Sequence, residues 1–350
     1  MAIVINGSGT VTGLAVGGLP DGTVDAGTLA TNSVDSAELV DGAVDDSHMA
    51  SIRGRKNILI NGGFDVWQRG TSFTVPDNAV TYTTDRWAIF SNGSNSRVTT
   101  KEEAVINNKV GNSIKVALTT PNASDRLFRQ KIEDLKQFSS QTLTLSYYAK
   151  ASTSTEYKVE TRRYYGTGGS ADSNDEHATH TFTTSWQKFT TTFTVPDITG
   201  DTFGANNGLW IMFKVNTVQT HDVYLANVQL ERGSTATEFE HRSYGEELAL
   251  CQRYFEKLGR GGGYAGDRAY NHSSRIVNLP TWATTKRADP TVTIYSGNDA
   301  VNAMSGYSSG TNNTVTSLSD PNQYSLGRFI TLANSITQPH CAYFHVDAEL

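Results

Sequence analysis

Six carboxylates are the residues of this sequence that could perform acid–base chemistry. A pair of Asp or Glu side chains flanking a glycosidic bond can supply the general acid and the nucleophile or base of glycoside hydrolysis. The candidates for such a pair are Asp65, Asp85, Glu102, Glu103, Glu133 and Asp134. The sequence alone places no two of them side by side in space, and it holds no HExxH or Walker signature. We therefore predict that the protein is not an enzyme. Instead, Asp85-Arg86-Trp87 would mark a strand edge with a local ion pair, and Glu133-Asp134 a solvated turn.

A close pair of histidines is the second candidate for chemistry. His177 and His180 lie in the segment HATH, with Asp172, Asp175 and Glu176 nearby. Imidazole and carboxylate groups are common ligands of transition metals. Because no third ligand motif accompanies the pair, the sequence favours a solvated loop over a metal site, and we predict no cofactor.

Aromatic side chains in loop-like stretches are candidates for contacts with sugars. The C–H faces of a sugar ring pack on aromatic rings, while its hydroxyl groups need hydrogen-bond partners. The side chains predicted to contact a glycan are Tyr264, Tyr270, Trp282, Tyr307 and Tyr324. Trp67 and Trp87 lie in strand-like runs and are predicted to belong to the core. One of Tyr164 and Tyr165 must face outward if their strand alternates.

A repeat with a period of five precedes all these residues. Between residues 14 and 49 every fifth residue is apolar, and from residue 21 the pattern doubles into the decads DGTVDAGTLA, TNSVDSAELV and DGAVDDSHMA. Such a period fits neither a helix face nor an alternating strand. One thin apolar row cannot form a core in a lone chain, but several copies can share one. We therefore predict a homotrimer that assembles through Val24, Leu29, Val34, Leu39, Val44 and Met49. The alternatives are a disordered linker and a single-chain solenoid.

Length, composition and charge limit the functional classes to which the protein can belong. The chain has 350 residues, enough for two or three domains, and a net charge of −6, which argues against nucleic-acid binding as its main activity. No apolar run is long enough to span a membrane. The two cysteines, Cys251 and Cys341, are too few for a disulfide framework and are predicted to be free thiols.

An all-β domain is predicted to begin at Asn57, where apolar residues alternate and Thr and Tyr are frequent. Further strands are predicted at 113–118, 142–149, 157–165, 186–195, 209–215 and 223–230. Residues 127–138 are interpreted as a helical turn or loop, and 166–180 as a polar loop. Many strands without βαβ alternation favour a β-sandwich.

A short helix is predicted over residues 243–258. Ser243 and Glu246 form a capping box, and Gly259 would end the helix. Its a/d seam would add to the trimer contact through Leu248, Cys251, Phe255 and Leu258. The alternative is an amphipathic helix packed on its own sandwich.

The last segment is interpreted as a small separate β domain. Its short strands are predicted at 275–279, 291–295, 314–318, 328–333 and 342–348. Polar loops on a β scaffold are a usual place for recognition.

Several segments together resemble a family of phage tail-fibre proteins. They are NILINGGFDVWQRGTSF, YTTDRW, LFRQKIEDLKQFSSQTLTLSYYAKAS, SWQKFTTTFTVP and VYLANVQLERGSTATEFEHRSYGEELALCQRYFEK. In that family a jelly-roll similar to carbohydrate-binding modules is followed by a short helix and a variable tip. The decads resemble repeats at the N-termini of such fibres, although they lack the usual Lys. The resemblance covers roughly residues 14–258.

The resemblance implies a mainly β, homotrimeric fibre of four parts. These are an attachment segment and repeat shaft (1–52), a jelly-roll (53–242), a trimerising helix (243–258) and a receptor-binding tip (259–350). The implied function is attachment of a virion, through its N-terminus, to polysaccharide or lipopolysaccharide on a host cell. A structural Ca²⁺ would be compatible with such a jelly-roll, but the sequence identifies no ligand set. The alternatives are a purely structural capsid or collar fibre and a polysaccharide depolymerase.

Overall fold

The described part of the chain is mainly β, with one α-helix. The structure, a computed structural model, describes residues 4–5, 11–12, 55–91, 97–119, 125–259, 275–276, 281–296, 299–306, 312–318, 320–326, 330–333 and 340–349. The chain divides into two compact units, residues 1–54 and 55–350. In the first unit, β1 (Val4–Ile5) pairs antiparallel with β2 (Val11–Thr12). The apolar row of residues 24–49 lies outside the described residues.

The second unit begins with twelve strands that form two six-stranded antiparallel sheets. In chain order the strands are β3 (Ser72–Val75), β4 (Val80–Tyr82), β5 (Ala88–Phe90), β6 (Arg97–Ile106), β7 (Lys109–Leu118), β8 (Arg126–Glu133), β9 (Thr142–Ala151), β10 (Thr155–Tyr164), β11 (Ser173–Phe182), β12 (Gln187–Thr194), β13 (Gly208–Val215) and β14 (His221–Arg232). Sheet 1 has the order β12-β9-β14-β7-β6-β3, and sheet 2 has the order β11-β10-β13-β8-β5-β4. A turn of 3₁₀ helix, Leu135–Phe138, follows β8.

The two sheets form a β-sandwich around one core. Alternate residues of β9, including Leu143, Leu145 and Tyr147, are fully buried, as the two-residue period of a strand requires. The ring of Tyr147 in sheet 1 meets the ring of Phe213 in sheet 2 edge-on, with centroids 4.8 Å apart. Trp87 is fully buried in the same cluster and Trp67 packs against it, so the prediction that both belong to the core is confirmed.

The segment 127–138 forms a strand as well as a helical turn, so the prediction of a turn or loop is wrong for its first part. Leu127 and Phe128 lie in the core, and Gln130 exchanges hydrogen bonds with the backbone of Ile60. Outward-facing Arg129 and Lys131 interrupt this apolar pattern, which made the segment difficult to identify as a strand from its sequence.

The polar stretch 166–180 likewise contains most of a strand, β11, which pairs with β10. Its polarity has a simple cause, because β11 is the outer strand of sheet 2 and presents one side to solvent.

The helix is shorter than predicted. Helix α1 spans Tyr244–Gln252, and the Ser243 hydroxyl accepts a hydrogen bond from the Glu246 backbone N–H at 3.3 Å, as the predicted cap requires. The chain then turns, and strand β15 (Phe255–Leu258) pairs antiparallel with residues 344–347. Long-range strand pairing therefore overrides the helical spacing of the sequence.

The predicted helical seam through residue 258 is therefore wrong. Cys251 is fully buried on the helix, whereas Phe255 and Leu258 lie on a strand. Leu258 packs against the core of the C-terminal sheets. The trimerisation predicted for these side chains and for Leu248 is not tested by a single chain, but no one helix face presents all four.

Two smaller antiparallel sheets complete the second unit. Their remaining strands are β16 (Arg275–Ile276), β17 (Thr291–Tyr295), β18 (Ala303–Gly306), β19 (Asn312–Leu318), β20 (Ile330–Leu332), β21 (His340–Cys341) and β22 (Tyr343–Asp347). The sheet orders are β15-β22-β17 and β16-β20-β19-β18-β21. A separate core around Met304, Ile330 and Phe344 lies between them. No helix within the described residues is long and apolar enough to cross a membrane.

Candidate functional site

The outward face of sheet 2 carries a row of alternating aromatic and cationic side chains, which we call the Trp210 face. It consists of Phe90, Arg129, Trp210, Lys131, Tyr164 and Arg162. Strand β13 shows how the sequence produces it. Leu209, Ile211 and Phe213 point into the core, so the strand period turns Trp210 and Met212 outward.

A bulge in β8 aligns the cations with Trp210. The pairing of β8 with β13 shifts register between Ile211 and Phe213, and Phe128 adopts a positive φ of 50°. Two consecutive residues, Leu127 and Phe128, can therefore both enter the core. After the bulge the alternation resumes, which places Arg129 on the outer side.

The rings and cations of this face are in contact along the row. The guanidinium carbon of Arg129 lies 5.4 Å from the ring centroid of Phe90 and 4.6 Å from that of Trp210. The ammonium of Lys131 lies 5.7 Å from the Trp210 ring and 4.2 Å from the Tyr164 ring. Arg162 follows, 5.6 Å from the Tyr164 ring. These are cation–π distances.

Tyr164 and Tyr165 behave as strand alternation predicts. Tyr165 is 2% exposed and packs in the core, while Tyr164 faces outward in the row.

A cleft of ≈ 230 Å³ follows this face across the strands. Each of the six strands of sheet 2 contributes to its lining, which consists of Val80, Phe90, Arg129, Arg162, Asn174, Trp210 and Met212. The cleft therefore crosses the sheet roughly perpendicular to the strands. A cleft that crosses the strands of a sheet can accept a chain-like ligand.

Two donors in the cleft have no hydrogen-bond partner among the described residues. The indole N–H of Trp210 and the Nε–H of Arg162 are both buried from solvent and unsatisfied. Burying a polar group without a partner carries an energetic cost, so such groups in a native site call for an explanation. Both atoms are closed to solvent, so a ligand in the cleft would contact the exposed parts of these side chains and not the two donors.

The electrostatic environment of the row is positive around Lys131. Lys131 is 4% exposed, and its ammonium donates a hydrogen bond to the backbone carbonyl of Asn206. Burial lowers the pKa of Lys131 to about 8, and the nearby cations Arg287, Arg86 and Arg162 act in the same direction, opposed by Asp172. The ammonium of Lys131 therefore loses its proton near pH 8, well below the usual pKa of a lysine.

The carboxylates considered for catalysis have different hydrogen-bond and ion-pair partners. Asp65 accepts a hydrogen bond from Asn112 at 2.6 Å, and Glu102 accepts one from Thr100 at 2.9 Å. Asp134 caps the 3₁₀ turn. Glu133 pairs with Arg253 at 3.1 Å, which corrects its assignment to a purely solvated turn. None of them, nor exposed Glu103, is among the described residues that line the Trp210 cleft.

Asp85 and Arg86 do not form the predicted local ion pair. Both side chains are buried; Asp85 accepts two 2.7 Å hydrogen bonds from Gln68, whereas Arg86 pairs with Glu349 near the other end of the chain. Burial raises the pKa of Asp85 to about 6, although the charge of Arg69 and the hydrogen bonds from Gln68 oppose the shift. Both residues lie in the turn between β4 and β5 and not on a strand, and Arg86 has a positive φ of 69°, so the two side chains reach different partners.

The two histidines lie on β11 and not in a solvated loop. The pairing register with β10 shifts at His177, and this bulge turns both imidazoles toward β12. His177 lies 2.8 Å from the Thr161 hydroxyl and stacks on Phe193, and His180 lies 2.9 Å from the Thr191 hydroxyl. Burial lowers the pKa of both. Within the described ranges, no cluster of three or more metal-ligating side chains occurs.

The aromatic residues predicted to bind a glycan have different environments. Trp282 is 7% exposed in the C-terminal core, where its indole N–H donates to the Asn322 carbonyl at 2.8 Å, so it cannot offer a face to a sugar. Tyr324 is 67% exposed, and its role in binding stays a prediction. Tyr264, Tyr270 and Tyr307 lie outside the described residues.

Sequence reasoning missed Trp210, although the strand that carries it was identified. The signal was present in the run LWIMFKV at 209–215. Trp210 is in phase with Lys214, which must face solvent, and out of phase with the Leu, Ile and Phe residues of the core. A tryptophan on the solvent side of a strand is a candidate ligand contact.

The sequence matches no protein-family model and no curated protein. Among solved structures, a CBM4 structure is 20% identical, with 49% of this chain and 98% of that chain covered and a TM-score of 0.29. A CBM22 xylan-binding domain from Paenibacillus barcinonensis is 11% identical, with 53% and 100% covered and a TM-score of 0.33. The enzymatically active domain of a Bacteriophage CBA120 tailspike protein is 14% identical, with 51% and 21% covered and a TM-score of 0.30. At these TM-scores the likenesses do not bear on the function of this chain.

Proposed function

We propose that this chain is a phage fibre protein that binds surface glycan, and that the Trp210 face is a glycan-binding surface. The observation that carries the glycan-binding proposal is the cleft that crosses all six strands of sheet 2 over Trp210. An extended polysaccharide fits a groove of this form. Trp210 and Tyr164 supply aromatic faces for sugar rings, and Asn174 supplies an amide for their hydroxyl groups.

The phage assignment is supported by the order of sequence motifs between residues 14 and 258. In this proposal residues 1–52 attach the fibre to the virion, and three copies of the chain share the apolar row of the decads. Multivalency would convert weak binding at each Trp210 face into firm attachment. Immunogold labelling of virions with antibodies against residues 55–350 would show whether the protein lies on the tail or on the capsid. Labelling of the capsid instead of the tail would favour the purely structural alternative.

The C-terminal tip keeps a separate role in this proposal, through exposed Tyr324. Deleting residues 259–350 is not a clean test of it, because β22 pairs with β15 and Glu349 contacts Arg86 of the sandwich. Replacement of Tyr324 by Ser avoids this damage. Loss of host adsorption in that variant would assign attachment to the tip, and unchanged adsorption would leave the Trp210 face as the attachment surface.

Trp210→Ala tests the glycan-binding surface directly. The loss of the stacked ring is expected to weaken binding by about tenfold or more on an array of bacterial and plant polysaccharides. Isothermal titration with the best array ligand gives the affinity. The same incubation, assayed for new reducing ends, tests the depolymerase alternative.

Trp186→Ala is the matched control. Trp186 is a partly buried tryptophan beside sheet 1, and a lysine, Lys150, lies over its ring at 5.1 Å. It therefore resembles Trp210 in burial and stacking but lies away from the Trp210 cleft. Equal losses in both variants, or none in Trp210→Ala, would contradict the assignment of this face.

A further inference from the structure

We propose that the ligand of the Trp210 face is an anionic glycan, whose carboxylate is bound between Arg129 and Arg162 in the positive field of Lys131. This inference rests on the proposed glycan-binding function and names the class of sugar. Both arginines line the cleft on either side of Trp210, and Arg162 keeps 40% of its side chain exposed for contact. Guanidinium groups bind carboxylates through paired, charge-assisted hydrogen bonds.

The carboxylates nearest the row are already ion-paired. Asp172 pairs with Arg162 at 2.5 Å and Glu160 pairs with Lys214 at 3.3 Å. Lys131, in contrast, contacts a neutral carbonyl, and no carboxylate within the described residues forms an ion pair with it. The centre of the row is thus positive in a chain whose net charge is −6.

The titration of Lys131 supports this positive potential. Burial is the first cause of its lowered pKa, three arginines add to the effect, and Asp172 opposes it. A site in which cations destabilise one another gains most from an added negative charge. A sugar carboxylate that contacts the exposed part of the Arg162 side chain would relieve this repulsion.

A single-stranded nucleic acid is the other polymer that would use aromatic and cationic groups together. The ion-paired acids at one end of the row disfavour it. Asp172 and Glu176 flank the β10–β11 end of the face, where a phosphate backbone with one charge per nucleotide would run past them. A glycan whose charges are separated by neutral hydroxyl-bearing units fits the alternation of cations and rings better.

The test compares charged polymers with their neutral counterparts on the full chain. The probes are polygalacturonate, alginate, hyaluronate and colominic acid, each beside its carboxyl-reduced form, together with neutral xylan and an oligo-dT. Binding is measured by isothermal titration at two salt concentrations. We expect at least one anionic polymer to bind, reduction of its carboxyl groups to weaken binding by about tenfold or more, and added salt to weaken it further.

Arg162→Gln is the test variant and Arg163→Gln its matched control. Arg163 is the next residue of the same strand and pairs with Asp175 at 3.1 Å, but it points to the other side of the sheet. Arg162→Gln should lower affinity for the anionic polymer by about tenfold and leave residual binding of the reduced polymer unchanged. Arg162→Lys, which keeps the charge, should restore part of the affinity. Arg163→Gln should bind as the wild type does, and thermal melting confirms that each variant folds.

The outcomes separate the two proposals. Equal affinity for the charged and reduced forms, or tight binding of xylan alone, overturns the anionic ligand while the glycan-binding function stands. Failure of every polysaccharide to bind overturns both. Tighter binding of oligo-dT than of any polysaccharide also overturns both and assigns the face to nucleic acid.

Discussion

At the scale of single residues, Lys131 connects the packing of the Trp210 face to its chemistry. Its ammonium is enclosed by the Tyr164 ring and the Asn206 carbonyl, and its pKa is lowered to about 8. The charged groups that act on it are Arg287, Arg86 and Arg162, which favour loss of the proton, and Asp172, which favours its retention. A negative charge on a bound ligand would raise the pKa of Lys131 and so increase the fraction of Lys131 that is protonated.

Affinity for an anionic glycan is therefore expected to fall as pH rises from 7 to 9. Below pH 8 Lys131 is mostly charged and attracts the ligand; above pH 8 it is mostly neutral in the free protein, so binding must also recover the proton. Near pH 8 binding should take up a fraction of a proton per site. Titration calorimetry in two buffers of different ionisation enthalpy measures this uptake.

Lys131→Met is the control for that pH dependence. The variant has no proton to recover, so its affinity should be lower at pH 7 but nearly constant up to pH 9. An equally steep decline in Lys131→Met would show that another group is responsible, and Lys131 would then have no part in the linkage.

At the scale of elements, the strands that could be predicted were those with clear alternation. The runs 142–149, 209–215 and 223–230 lie within β9, β13 and β14, and 291–295 coincides with β17. Burial of one side of a strand imposes a period that the sequence displays directly. Prediction failed at β8 and β11, where bulges break that period and the outward residues are charged or polar.

The site itself was less predictable than the strands. Trp210 and Lys131 lie 79 positions apart in the chain, yet they are neighbours because β8 pairs with β13. No local pattern states which strands will pair. The aromatic row therefore becomes visible only when the order of sheet 2 is known. The same holds for β15, whose partner β22 lies at the far end of the chain.

The contact between the C-terminal strand segment and the sandwich depends on buried charge. Arg86 is 2% exposed, pairs with Glu349, donates to the Lys131 carbonyl at 2.6 Å and lies 3.4 Å over the ring of Tyr254. Arg69 adds a second contact to Glu349 at 3.4 Å. A buried ion pair contributes little net free energy when intact, but the loss of one partner leaves an uncompensated charge.

Glu349→Ala is therefore expected to lower the free energy of unfolding by about 3–5 kcal/mol. Urea denaturation followed by tryptophan fluorescence measures the change. Glu246→Ala is the matched control, because Glu246 pairs with Arg55 at 2.8 Å while both side chains are well exposed, and its loss should cost about 1 kcal/mol or less. Similar small losses in both variants would contradict the role assigned to Glu349.

At the scale of the whole molecule, apolar residues are distributed differently along the sequences of the two units. The described part of residues 55–350 contains two large apolar clusters, one in the sandwich and one between the C-terminal sheets, and a third, small cluster around Ala226. In residues 14–49 large apolar residues recur at every fifth position, and most of the residues between them are Gly, Ala, Ser, Thr, Asn and Asp. A segment with so few apolar groups cannot offset its loss of conformational entropy alone. Such a row can be buried when several chains associate and place their rows against one another.

We therefore expect the full chain to be a trimer and residues 55–350 to be a monomer at micromolar concentration. Replacing Val24, Val34 and Val44 by Ser should convert the full chain to monomers, because each trimer would then lose nine apolar side chains from the shared row. Val218→Ser is the matched control, since Val218 is a 73% exposed valine of the sandwich. Light scattering measures the oligomeric state of these four proteins. A monomeric full chain, or a triple variant that is still a trimer, would show that the repeat does not direct assembly. Either result would remove the main argument for a trimeric fibre.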